Sequence, residues 1–100
     1  MLKRQQILGK LREAYPYLAS EYGVKRIGLF GSYAKGEAVE ASDIDLIVEF
    51  DRPIGFKFIE LVEYLEHLLG QPVDVLTPAG VRGIRLPHVA DEIQKDVAYV

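Results

Sequence analysis

Apolar residues fall along this chain in two rhythms. From Ile7 onward, Ile7, Leu8, Leu11, Tyr15 and Leu18 recur at helical spacing, while Lys3, Arg4, Gln5, Lys10 and Arg12 take the opposite face. This predicts an opening amphipathic helix, broken or restarted at Pro16 and ended by Gly23. Val24 to Phe30 (VKRIGLF) is short, apolar and halted by Gly31, so it predicts a strand. A short helical turn and a loop containing Gly36 and Ser42 lead to a second strand, DIDLIVEF, from Asp43 to Phe50. In that strand Ile44, Leu46, Val48 and Phe50 point one way, into a core, and Asp43 and Asp45 point the other. After a turn at Asp51-Arg52-Pro53-Ile54-Gly55 comes the clearest helix, FKFIELVEYLEHLLG. Its stripe is Phe58, Leu61, Val62, Leu65, Leu68 and Leu69, and Gly70 stops it.

Gln71 to Leu76 reads as a short third strand ended by Thr77-Pro78. In the last segment Gly80, Gly83 and Pro87 make the first half irregular, and HVADEIQKDVAYV predicts a closing helix with Val89, Ile93 and Val97 inward. Strands separated by helices give an α/β (α+β) class: one domain over residues 1–100, a small mixed β-sheet of about three to five strands flanked by helices.

Composition narrows the function. With 49% hydrophobic and 27% charged residues the chain has the make-up of an ordinary soluble domain with one core. A net charge of −3 argues against a dedicated nucleic-acid binder, which would carry a basic surface. The basic cluster in the first dozen residues reads as a solvated helix face. No apolar run reaches membrane-spanning length, and MLKRQQILGK lacks the apolar centre of an export signal. There is no cysteine, so disulfides and thiolate-bound zinc are excluded. The expectation is a cytoplasmic protein with no membrane contact.

The candidate chemistry sits between the first two strands. Gly31-Ser32 offers a close backbone approach, a hydroxyl and amides at a helix start, which suit anionic oxygen. Asp43 and Asp45, at i and i+2 of a strand, lie roughly 6–7 Å apart on one side. Two carboxylates that close repel unless a cation lies between them, and hard oxygen ligands suit Mg²⁺. Alone, a Gly-Ser pair is usually a turn and an Asp-x-Asp usually a solvated face; together, with ten residues between Ser32 and Asp43, they describe a nucleotide-handling site. Asp74 is a third acid of interest, because an aspartate in a valine-rich strand needs a partner.

The run GSYAKGEAVEASDIDL resembles the signature of the DNA polymerase β-like nucleotidyltransferase superfamily, and within it the minimal nucleotidyltransferases that act as antitoxins beside HEPN toxins. The resemblance covers nearly the whole chain. It implies the polymerase β-like fold, with Asp74 completing a metal site begun by Asp43 and Asp45, and Gly31 and Ser32 holding the nucleotide. It implies two Mg²⁺ ions, ATP as substrate, and transfer of AMP to a tyrosine hydroxyl of a HEPN-domain partner encoded nearby. Lys35 stands where the family more often has arginine. Two alternatives stay open at this point: an antitoxin that neutralises its partner by contact alone, and a small-molecule nucleotidyltransferase. Arg82 and His88 match a loose pattern of HEPN ribonucleases, which this β-containing chain contradicts; Arg82 and Arg85 read as surface residues. His67 has no second histidine at ligand spacing and reads as an ordinary helix residue.

Overall fold

The computed structural model describes residues 2–36, 43–78 and 97–100. Along the chain these form α1 (Arg4–Tyr22), β1 (Val24–Phe30), α2 (Gly31–Lys35), β2 (Ile44–Phe50), α3 (Lys57–Leu69), β3 (Val73–Leu76) and β4 (Ala98–Tyr99). The sheet order is β3-β2-β1-β4. β1 runs antiparallel to both β2 and β4, whereas β2 and β3 are parallel. Parallel neighbours need a long crossover, and α3 supplies it. Among the described residues the result is a mixed four-stranded sheet with three helices, within the mixed sheet of about three to five strands that the sequence pattern predicts.

Helices α1 and α3 cover one face of the sheet. Ile7, Leu11 and Leu18 of α1 and Leu61 and Leu65 of α3 pack with Ile27 and Leu29 of β1 and with Ile44, Leu46 and Val48 of β2, all fully buried. Each such side chain contributes about 1.5–3 kcal/mol relative to exposure. The residues between them in β2 point to the opposite face. There Ile47 joins Phe30, Leu76 and Val97 in a second, smaller apolar cluster.

Two expectations are corrected. α1 is continuous through Pro16, which is exposed. Proline inside a helix costs about 3 kcal/mol. Here the buried residues on either side, Leu11 and Ala14 before it and Leu18 and Tyr22 after it, hold both halves on one core. The chain also closes on a strand at Ala98–Tyr99, not a helix through to its end. β4 pairs with β1 at Gly28 and Leu29, and the Val100 amide donates to the Ile27 carbonyl at 3.0 Å. Gly28 permits the approach: a Cβ there would meet the Tyr99 ring at 2.9 Å. The remainder of the expected closing helix, with Val89 and Ile93, lies outside the described residues, as do Arg82, Arg85 and His88.

Candidate active site

Three segments meet where β1 leaves the sheet and β2 and β3 enter it. At the end of β1 the chain turns at Gly31, φ 73°, into the single helical turn α2. β2 begins immediately after Asp43, and β3 begins one residue before Asp74. The ladder sets Asp45 opposite Phe30 on one side and opposite Asp74 on the other. Residues in register on adjacent strands share a face, with backbones about 4.8 Å apart, so the Asp45 and Asp74 side chains stand next to each other. Asp43, two residues before Asp45 on extended chain, is exposed, as is Asp74; Asp45 is half-buried.

The electrostatics follow from this placement. Burial pushes the Asp45 carboxyl above its ordinary range, and the negative charges of Asp74 and Asp43 push it further. All three influences penalise the carboxylate form. Gly31 is part of the same arrangement, because a Cβ at that position would overlap Oδ2 of Asp45. The turn therefore lies directly against the central carboxylate, and the positive φ adds a second reason for glycine there. Ser32 is half-buried beside it and Lys35 is exposed at the end of α2.

The sequence-derived set of Gly31, Ser32, Asp43, Asp45 and Asp74 thus comes together at one end of the sheet. Among the described residues, no group of three or more His, Cys, Asp or Glu side chains stands ready as a metal cage. The donor chemistry nonetheless fits a divalent cation: hard carboxylate oxygens, one of them destabilised by two like charges. A cleft of about 540 Å³, lined by residues that include Phe50, Arg52, Ile54 and Pro78, lies at the far end of β2 and contains none of the three acids. His67 is exposed on α3, away from a ligand set.

Sequence reasoning missed two residues that support the site from below. Tyr33 in α2 is buried, and Gln71, just before β3, donates a hydrogen bond from Nε2 to its hydroxyl at 2.7 Å. Nothing in GSYAK or GQPVDV flags this pairing, since it joins residues 38 apart.

A nucleotidyltransferase domain model matches residues 6–100. The chain belongs to the nucleotidyltransferase family. Protein adenylyltransferase MntA of Thermococcus cleftensis is 41% identical over 101 residues, spanning all of this chain and 98% of that one. A solved structure described as a minimal nucleotidyltransferase is 32% identical and superposes with a TM-score of 0.74, covering 97% of this chain and 95% of the other. The fold is therefore that of a minimal nucleotidyltransferase, and the chain is an enzyme of that family. The same fold recurs in a Shewanella oneidensis complex of a tri-AMPylated HEPN toxin with an MNT antitoxin: TM-score 0.61, 20% identity, 96% of this chain and 70% of that one. Among the described residues no helix is long and apolar enough to cross a membrane.

Proposed function

We propose that this protein transfers AMP from ATP to a protein hydroxyl, a tyrosine of a HEPN-domain partner, and so acts as the antitoxin of a toxin–antitoxin pair. The observation that carries the reading is the register of Asp45 against Asp74 across β2 and β3, with Asp43 in electrostatic reach and the Gly31-Ser32 turn against Asp45. A protein acting only by contact has no physical need for three clustered acids, one of them held at a cost. The name of the Thermococcus cleftensis relative supports adenylyl transfer, and the Shewanella oneidensis complex supports a HEPN partner.

In this mechanism the Gly31 amide and the Ser32 hydroxyl hold the terminal phosphates of ATP. Asp43, Asp45 and Asp74 would bind two Mg²⁺ ions, which when present supply positive charge for the triphosphate and the departing pyrophosphate. The acceptor tyrosine oxygen attacks the α-phosphorus. A new O–P bond forms as the bond from that phosphorus to the α,β-bridging oxygen breaks, and the electron pair leaves with pyrophosphate. Asp74, exposed at the mouth of the site, accepts the tyrosine proton. The open position of Asp43 and Asp74 suits an acceptor presented by another macromolecule, and use of ATP places the reaction in the cytoplasm.

The test is a transfer assay on a HEPN-domain protein encoded beside this chain, with ATP and Mg²⁺, followed by fragmentation mass spectrometry to locate the modified residue. The reading expects pyrophosphate release and AMP on a tyrosine. Modification of a small molecule instead, with the HEPN protein unchanged, would overturn the protein-acceptor part.

A further inference from the structure

The two halves of the site come from distant parts of the chain. The phosphate-side turn begins at Gly31, and Asp74 lies on β3 beyond the α3 crossover. The fold must fix the distance between them, because phosphoryl transfer depends on alignment of nucleophile, phosphorus and leaving group.

β2 provides part of that fixing, since it pairs with both β1 and β3. A second link runs on the core side of the sheet. Tyr33, two residues after Gly31, turns its ring into the main core and is 2% exposed. Its hydroxyl accepts from Gln71 Nε2 at 2.7 Å. Gln71 occupies the connection between α3 and β3, three residues before Asp74. That connection is itself held closely. The Gly70 amide donates to the Glu66 carbonyl at 2.7 Å, the Val73 amide to the Glu66 carboxylate at 3.2 Å, and the Ile44 amide to the Pro72 carbonyl at 3.1 Å. The other end of the Gln71 amide, Oε1, accepts from the Leu2 amide at 3.4 Å. One side chain thus bridges the α2 turn, the entry to β3 and the start of α1.

We infer that Tyr33 and Gln71 are positioning residues, whose hydrogen bond sets the spacing between the Gly31-Ser32 turn and Asp74. The inference rests on the reading of this end of the sheet as the transfer site. Neither residue touches the reacting atoms. Removing their bond leaves the nucleotide-binding groups present and lets the turn and the β3 acid drift relative to each other. The consequence is a loss in kcat rather than in KM for ATP.

The experiment compares wild type, Tyr33→Phe, Gln71→Ala and the double variant by two readouts. Tyr33→Phe keeps the ring in the core and removes only the hydroxyl, so it guards against loss of fold. The first readout is amide hydrogen exchange over residues 31–36, which needs no activity. Exchange there becomes several-fold faster in either single variant, and the double exchanges no faster than Gln71→Ala, because Tyr33→Phe removes a bond that Gln71→Ala has already removed. The second is steady-state transfer well below Tm, where kcat falls about tenfold in each variant with KM for ATP within about threefold of wild type. Unchanged exchange and unchanged kcat in Tyr33→Phe overturn the inference. Equal losses in kcat and in folded fraction also overturn it, since they mark a purely structural bond. A wild type that transfers nothing overturns the proposed function, and the exchange readout then still decides whether the bond holds the turn.

Discussion

At the residue scale the structure concentrates conflict on one atom group. Asp45 lies half-buried between Asp43 and Asp74, and its carboxyl is held above the ordinary value of 3.8 by burial first and then by those two charges. The sign of the stability effect follows. Between the unfolded and the raised folded pKa, the native state binds more protons than the unfolded one, so unfolding free energy falls as pH rises through that window. Above the folded pKa the cost is fully present. Asp45→Asn therefore raises Tm at pH 7 in the absence of divalent cations, and flattens stability against pH on the acid side, while transfer falls about 10³-fold. Thermal melts from pH 3 to 7 beside a turnover assay check both halves; a lowered Tm at pH 7 would contradict the repulsion argument. Gly31→Ala acts on the same group from outside, since its methyl overlaps the Asp45 carboxylate and φ is 73°. It costs about 1–2 kcal/mol for the left-handed backbone alone and lowers transfer at least about 100-fold, read by denaturant titration and turnover.

Among the elements, the two long helices and three of the strands are legible because each carries one dominant period. Val24–Phe30 forms a strand with the expected bounds, and α3 starts and stops within a residue of its pattern. The acids were legible too, since Asp43 and Asp45 alternate against buried Ile44 and Leu46. What local pattern could not give was pairing. β4 is two residues long, and its partner is found only through the space left beside Gly28. The second apolar cluster of Phe30, Ile47, Leu76 and Val97 draws its members from four distant positions, and Tyr33–Gln71 is likewise non-local. Pro16 misled for the opposite reason: a strong local signal yielded to packing on both sides. Because α1 carries the proline's cost while burying Leu11 and Leu18, Pro16→Ala stabilises the protein by about 1–3 kcal/mol without touching the site. Chemical denaturation with unchanged transfer kinetics checks this, and a destabilised variant would show that Pro16 has a role beyond the helix.

The molecule as a whole places its acids at one end of a sheet whose other end carries the cleft lined by Phe50, Arg52 and Pro78, and it keeps one face for two helices. With Mg²⁺ held by these acids as proposed, cation binding and stability become one equilibrium. Mg²⁺ that binds the native acids raises unfolding free energy by about 1.4 kcal/mol at ten times its dissociation constant. Melts with and without Mg²⁺ measure this, and Asp43→Ala/Asp45→Ala loses the increment. The most direct test of the central claim, that these three acids carry adenylyl transfer to a protein, is the intact mass of the HEPN-domain partner after incubation with this protein, ATP and Mg²⁺. The account predicts the added mass of one or more adenylyl groups with wild type and none with Asp43→Ala/Asp45→Ala. An unmodified partner in a stable complex with wild type, or equal modification by the double variant, would contradict it.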